Sequence, residues 1–88
     1  PILREIEKEA EERVLKVPIH KDMIGKSLSE LSLDRVGANI LAIKRRGKWI
    51  VDPSPECKLE EGDILILKCY EEGLEQLNKI LKLNTRRI

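Results

Sequence analysis

Four short stretches of this chain are predicted to be β-strands from their pattern of apolar and polar residues. They are residues 14–19, 38–45, 48–51 and 64–69. The second and fourth stretches are apolar on both faces, which is typical of strands inside a sheet. Because Pro18 cannot donate a hydrogen bond to a neighbouring strand, the first stretch is predicted to lie at an edge or to end there.

Helical spacing occurs at both ends of the chain and once near the middle. Apolar residues recur at every fourth position in residues 2–13, which predicts a helix with a narrow apolar seam. Residues 71–83 are predicted to form the last helix, with Leu74, Leu77, Ile80 and Leu81 on one side. Ser27 and Glu30 have the spacing of a capping box, so a short helix is predicted to begin at Leu28.

Composition narrows the class of protein. The length of 88 residues suits one small domain, and 41% apolar with 38% charged residues is typical of a folded one. With a net charge of +1, the chain as a whole is not strongly attracted to nucleic acid or to a membrane surface. Trp49 and Tyr70 are the only aromatic residues, which argues against a platform for stacking bases. No apolar run is long enough to span a bilayer.

Metal and catalytic chemistry find little support in the residue pattern. The spacing of His20, Cys57 and Cys69 matches no known set of metal ligands, so no metal is predicted. Two cysteines are fewer than a disulfide framework normally uses, which is typical of a protein in a reducing cytosol. There is no nucleophile elbow and no paired-carboxylate arrangement, and Asp63 after Gly62 is interpreted as turn chemistry. We therefore predict no catalytic residues, no cofactor and a protein that is not an enzyme.

Two basic segments invite a phosphate-binding interpretation. The triplet at 25–27, Gly-Lys-Ser, lies between a strand and a helix, but a phosphate loop needs a glycine where His20 stands, so a turn and a helix cap are favoured. Lys44, Arg45, Arg46 and Lys48 surround the predicted hairpin. We interpret them as a solvated turn, with contact to nucleic-acid phosphates as the alternative.

The ordered combination of short segments resembles a known family. The segments are IGKSL at 24–28, GANILAIKR at 37–45, GKWI at 47–50, PSP at 53–55 and LEEGDIL at 59–65. Together they resemble the TrkA C-terminal domain, the C-terminal lobe of the RCK (regulator of potassium conductance) module. Each piece is weak alone, and their order and spacing carry the resemblance.

The resemblance implies a compact α+β fold and a regulatory role. The implied fold is a small pseudo-barrel of about four to five strands, with a short helix after the first strand, a C-terminal helix and a helix in front. In the family this domain is often homodimeric and accompanies potassium channels and other ion transporters in the cytoplasm. Some members bind cyclic di-AMP at the dimer interface. The chain has no G-x-G-x-x-G loop, so NAD binding is not expected.

We accordingly divide the chain into three parts. Residues 1–13 are expected to be a helical connector from a preceding domain, such as a PhoU-like bundle, and residues 14–84 the regulatory domain, with a tail at 85–88. Two protein partners are expected: a second copy of the chain, and either a membrane channel or transporter subunit or other domains of a longer parent chain. A small anionic ligand such as a cyclic dinucleotide is also expected, whereas nucleic acid is not.

The candidate ligand surface is the loop and strand start after the short helix. It comprises Arg35, Gly37, Ala38, Asn39 and Ile40. The planar guanidinium of Arg35 can donate two hydrogen bonds to a phosphate, and the Asn39 amide can hydrogen-bond to the edge of a base. Ala38 and Ile40 offer apolar contact. An apolar edge expected to be exposed, Leu31, Leu33 and Val36, is the predicted dimer interface. A ligand regulates such a dimer only if it binds two arrangements unequally.

Two other functions stay open at this point. Small barrels with Gly-Asp turns also occur in DNA-binding transcription factors, and that alternative predicts salt-dependent retention on DNA. A purely structural dimerisation domain is the other alternative, and it predicts that no ligand raises the melting temperature.

Overall fold

The structure, a computed structural model, describes residues 11–81. Four strands and two α-helices make up the fold, linked by three short 3-10 turns. The strands are β1 (Glu12–Pro18), β2 (Asn39–Arg45), β3 (Lys48–Val51) and β4 (Ile64–Tyr70). The helices are α1 (Leu28–Leu31) and α2 (Leu74–Leu81), and the 3-10 turns are Lys21–Met23, Leu33–Val36 and Glu71–Gly73.

The four strands form one antiparallel sheet in the order β1-β4-β2-β3. The register places paired residues of neighbouring strands in rows that lie on alternate faces. One inner row joins Val17, Leu65, Ile43 and Ile50, and the two central members are fully buried. The two doubly apolar stretches, β2 and β4, are the central strands, as the sequence predicted.

Nearly all the buried packing lies on this inner face, and Ala42 is the one buried strand residue on the opposite face. Leu77 and Leu81 of α2 join Leu65 and Leu67 of the sheet in one core cluster, to which α1 adds Leu28. The helices are too short to be stable alone, so their burial against the sheet holds them in place. The opposite face of the sheet is covered by no element among residues 11–81.

The expected pseudo-barrel is wrong: the sheet is open. In a barrel the first and last strands of the order would pair, but β1 and β3 remain separate edges with β4 and β2 between them. The α+β class, the short helix after the first strand and the C-terminal helix are confirmed, and Pro18 lies on an edge strand as predicted.

The ends of the chain differ in part from expectation. The helix predicted over residues 2–13 lies mostly outside the described residues, and β1 begins at Glu12, two positions earlier than the alternation indicated. The last helix begins at Leu74, after the 3-10 turn Glu71–Gly73, because the chain leaves β4 through a tighter turn. Within residues 11–81 no helix is long and apolar enough to cross a bilayer.

Candidate functional site

A cavity of about 200 Å³ opens beside the start of β2. Three elements and one loop build it: α1, the 3-10 turn Leu33–Val36, the first residues of β2 and the loop after β3. Its lining residues are Leu28, Ser29, Leu33, Asp34, Ala38, Asn39, Ile40, Pro53 and Pro55. The walls are mainly apolar and include two prolines, while Ser29, Asp34 and Asn39 supply polar groups.

The β2–β3 hairpin brings the proline wall to the cavity. Its two-residue turn is Arg46-Gly47, with φ of 50° and 78°, as a type I′ turn requires. This turn pairs Ala42 with Val51, so the chain beyond β3 continues alongside the start of β2. The backbone N–H of Asp52 donates to the carbonyl of Leu41 at 2.9 Å, which holds the loop against β2.

The far end of the same loop is fastened to α1. The N–H groups of Leu28 and Ser29 donate to the carbonyls of Cys57 and Pro55 at 3.0 and 2.9 Å. The first-turn amides of α1 are therefore already used, and they cannot bind a phosphate. This arrangement explains why Gly25-Lys26-Ser27 forms a turn and a helix cap rather than a phosphate loop.

The predicted capping box of α1 is present. The Glu30 carboxylate accepts a hydrogen bond from the Ser27 backbone N–H at 2.7 Å. This bond is the main cause that lowers the pKa of Glu30 below the usual value of a glutamate. The cap fixes where α1 begins and hence where Leu28 and Ser29 meet the cavity.

The cavity contains some of the predicted ligand residues but not all. Ala38, Asn39 and Ile40 line it, whereas Arg35 and Gly37 are not among its described lining residues. Gly37 has φ of 77° and ends the 3-10 turn, so its part in the structure is to turn the chain into β2. Arg35 is exposed on that turn, next in sequence to Asp34 of the lining.

The sequence-based prediction missed Leu28, Ser29, Asp34, Pro53 and Pro55 as lining residues. A signal for the prolines was available, because a two-residue hairpin turn pairs positions symmetrically about itself. That symmetry places position 53 beside Ile40. For α1 the chain offered no comparable signal, since its contact depends on the loop closing over it.

The exposure expected for the dimer residues is corrected in part. Leu31 and Leu33 are only 8% and 3% exposed, because both pack into the core of the protomer itself. Val36 is half-buried against that core. An apolar residue at the end of a very short helix can pack into the protomer's own core or against a partner. The sequence pattern is the same in both cases.

A second polar cluster lies at the other end of the hairpin. The side chain of Asp63 is fully buried, and Arg45 binds its two oxygens with Nε at 2.9 Å and Nη2 at 2.7 Å. The same carboxylate accepts from the Glu60 N–H at 2.8 Å. Arg45 also donates to the Lys58 carbonyl at 2.9 Å and lies 3.2 Å from the Glu60 carboxylate.

The electrostatics of this cluster are those of a satisfied ion pair. Burial raises the pKa of Asp63, but the hydrogen bonds and charge of Arg45 and the Glu60 N–H outweigh it, so the pKa lies below the usual value. Hydrogen bonding to Asp63 raises the pKa of Arg45. The interpretation of Arg45 as part of a solvated turn is therefore wrong, since its guanidinium is committed to buried acceptors. Arg46 is exposed and pairs with Glu60 at 2.8 Å.

The three potential metal ligands lie apart. Cys69 is buried in the inner sheet layer, Cys57 lies in the loop over α1, and the His20 Nδ1 accepts the Asp22 N–H at 3.1 Å. In the described part of the chain, no group of three histidine, cysteine, aspartate or glutamate residues is placed to hold a metal.

The family is shown by the sequence as a whole. The pattern of the TrkA-C domain matches residues 13–82, which is most of the chain. The chain therefore belongs to the TrkA-C domain family, and the resemblance drawn from its short segments is confirmed. The family match covers the sheet except Glu12, and it includes the cavity and the Arg45–Asp63 pair.

Particular relatives are found among channels and transport regulators. The chain is 28% identical over 85 residues to the Probable potassium channel protein 2 of Methanocaldococcus jannaschii, covering 96% of this chain and 25% of that protein. It thus spans about a quarter of the length of this relative. The RCK C domain of the potassium transport protein KtrA, solved in complex with cyclic diadenosine monophosphate, has a TM-score of 0.70 and 32% identity, with 89% and 91% of the two chains covered.

A third relative is the regulator BusR of S. agalactiae. Its RCK_C domain dimer in complex with c-di-AMP has a TM-score of 0.63 and 28% identity, with 85% of this chain and 97% of that chain covered. BusR was also solved in complex with its busAB-promotor DNA, where the TM-score is 0.66, the identity 28% and the coverage 86% and 38%.

Proposed function

We propose that this chain is a non-enzymatic, ligand-sensing dimerisation module that regulates potassium or other ion transport, and that its ligand is a cyclic dinucleotide bound at the cavity beside β2. The single observation that carries the proposal is the composition of that cavity. Proline and aliphatic walls surround a few polar groups, a combination typical of small-molecule binding sites. The ligands of the KtrA and BusR relatives belong to this chemical class.

The lining suits a nucleobase better than a phosphate. Leu33, Ile40 and Pro53 offer apolar contact to a ring, and the Asn39 amide can donate and accept at a base edge. The Asp34 carboxylate can accept from an exocyclic amino group, as on adenine, but would repel a phosphate placed against it. The phosphate of the ligand is therefore expected outside the cavity.

Arg35 is the proposed phosphate contact. It is exposed on the same 3-10 turn as Asp34, and no ion pair involving it is found in the described part of the chain. A guanidinium can bind two phosphate oxygens at once, so it can meet a phosphate at the rim of the cavity. Gly37 has a supporting part in the proposal, because it directs the chain from this turn into the lining.

The BusR domain dimer supports a dimer here, and the size of the cavity agrees with it. Ligand sites usually enclose about 300–1,000 Å³, and the cavity of one protomer holds about 200 Å³. A cyclic dinucleotide has two bases related by two-fold symmetry, so two copies of this cavity facing one another would take one base each. Of the predicted interface residues, Val36 retains exposed surface for such a contact, while Leu31 and Leu33 support it from the core.

The remaining expectations belong to the same proposal. Residues 1–13 are proposed as a connector whose last two residues already belong to β1, residues 14–84 as the regulatory unit and 85–88 as a tail. They are proposed to be part of a cytoplasmic protein whose other domains or transporter partner receive the signal. Attachment to a DNA-binding domain is a second possible context, favoured by the BusR relative. Even then, the proposal assigns ligand binding to this chain and DNA contact to the other domain.

The test is titration of the chain with c-di-AMP, followed by calorimetry and by sedimentation. We expect saturable binding at one ligand per two chains, with a melting temperature that rises with ligand concentration. A monomer at micromolar concentration that binds no cyclic dinucleotide would overturn the proposal. A dimer whose melting temperature no nucleotide changes would instead favour the purely structural function.

Substitution of Arg35 tests the phosphate contact separately. Arg35→Ala is expected to weaken c-di-AMP binding by more than about tenfold, since a charge-assisted hydrogen bond to phosphate contributes about 1.5–3 kcal/mol. Lys21→Ala, which removes an exposed basic side chain away from the cavity, is the matched control. Unchanged affinity in the Arg35 variant would remove this residue from the site and leave the cavity in place.

A further inference from the structure

The outer face of the sheet carries an apolar surface that nothing in the described residues covers. Its rows follow from the strand register: Pro18, Ile64, Lys44 and Trp49; then Lys16, Ile66, Ala42 and Val51; then Val14, Lys68 and Asn39; and finally Glu12 and Tyr70. Val51, Val14 and Trp49 are 74%, 66% and 54% exposed, whereas Ile64 and Ile66 between them are half-buried and Ala42 is buried. We call these rows the outer face.

The charge on the outer face is one-sided. Lys16, Lys44 and Lys68 stand among the apolar residues, and Glu12, at one corner, is the only acidic residue in the rows. Glu12 lies 3.7 Å from Lys68 and partly compensates it. A net charge of +1 for the whole chain hides this segregation, because the acidic residues lie mainly in the loops and helices.

The kinds of group on this face limit what can cover it. A second copy packed face to face would bring its three lysines against these three, which is unfavourable. Nucleic acid would match the lysines but would leave the aliphatic side chains against phosphates. A surface that takes up apolar side chains and binds ammonium groups within a few ångströms is the interface of an anionic bilayer.

Two details favour that interface. The most exposed apolar residues, Val14, Trp49 and Val51, lie on the two edge strands, so they can reach a planar surface together. The Lys44 Nζ lies 5.3 Å from the centre of the Trp49 ring. Tryptophan beside lysine is suited to the boundary between headgroups and acyl chains, because both have an apolar body and a polar end.

We propose that the outer face binds the surface of an anionic membrane, with Trp49 and Val51 entering the headgroup boundary and Lys16, Lys44 and Lys68 meeting lipid phosphates. This surface is separate from the cavity lining except for Asn39, which belongs to both. The proposal does not depend on which ligand the cavity takes.

The experiment mixes the full chain with vesicles of phosphatidylcholine alone or of equal parts phosphatidylcholine and phosphatidylglycerol at low salt. Trp49, the only tryptophan in the chain, is the reporter. We expect co-sedimentation and a blue shift of Trp49 emission with the anionic vesicles only. Added salt should weaken the binding.

Matched variants separate a specific face from general attraction. Lys16→Glu with Lys68→Glu should weaken vesicle binding by more than about tenfold, because attraction to anionic lipid grows with each lysine at the surface. Lys26→Glu with Lys58→Glu makes the same charge change on exposed residues outside the outer face and should leave binding within about twofold. Val51→Ser should reduce the blue shift without unfolding the chain, because Val51 is 74% exposed.

Three outcomes would overturn the proposal. The first is no binding to anionic vesicles, and the second is equal loss in both double variants, which would mean nonspecific attraction. The third is a Trp49 emission that shifts with protein concentration in the absence of lipid and that Val51→Ser abolishes, which would assign the face to a second copy. Failure here would leave c-di-AMP binding at the cavity unaffected, so the two proposals fail independently.

Discussion

The two polar regions at opposite ends of the β2–β3 hairpin use charge in opposite ways. At the turn end, Asp63 and Arg45 are bound to each other and to backbone groups, and the Asp63 side chain has no contact with solvent. At the other end, Asp34 and Asn39 border an open cavity with apolar walls. A polar group whose partners are all supplied by the chain stabilises the fold, whereas one that faces an open apolar cavity can bind a ligand.

The largest expected effect is on stability, and it comes from breaking the Arg45–Asp63 ion pair. Asp63→Ala removes the partner of a half-buried guanidinium and leaves the Glu60 N–H without its acceptor, so we expect a loss of about 3 kcal/mol in the free energy of unfolding. Urea denaturation of the two proteins measures it. Glu61→Ala, an exposed position on the same turn, should change the free energy by less than about 0.5 kcal/mol. A loss below about 1 kcal/mol in the Asp63 variant would contradict the assignment.

Low pH should also destabilise the fold through the Arg45–Asp63 pair. The pKa of Asp63 is lower in the folded chain than in the unfolded one, so the folded chain binds fewer protons, and its stability falls as the pH drops below about 4. The measurement is the urea midpoint at a series of acidic pH values. The decline should be shallower in Asp63→Ala, which lacks the titrating group; parallel declines would show that other carboxylates cause it.

A substitution in the cavity lining should do the reverse, because it should weaken ligand binding and leave stability nearly unchanged. Asn39→Ala is expected to weaken c-di-AMP binding by about tenfold through loss of a base hydrogen bond, while the free energy of unfolding changes by less than about 0.5 kcal/mol because Asn39 is exposed. Calorimetry and urea denaturation of one preparation give both values. Glu56→Gln, exposed and outside the lining, is the control. A variant that loses stability but keeps its affinity would reverse the comparison.

Much of this fold could be predicted from local sequence patterns. The doubly apolar stretches became the central strands, and the Ser27–Glu30 spacing fixed the start of α1. Closure of the sheet could not be predicted, because strand pairing between distant segments leaves no periodic signal. The pseudo-barrel that we expected from the resemblance was therefore wrong.

The candidate site was less predictable than the fold. Ala38, Asn39 and Ile40 were found because they lie together in sequence at a strand start, whereas Pro55 and Ser29 meet only after the loop closes over α1. The same limitation concealed the role of Arg45. Its partner Asp63 is eighteen positions away, so composition alone presented the arginine as one more surface charge.

The Arg46-Gly47 turn sets a constraint on how this domain can vary. One extra residue between β2 and β3 would shift Pro53 away from Ile40 and would also carry Trp49 to the opposite side of the sheet. Both candidate surfaces would be lost in a single insertion. Homologues that keep either surface should therefore keep this two-residue link at its present length.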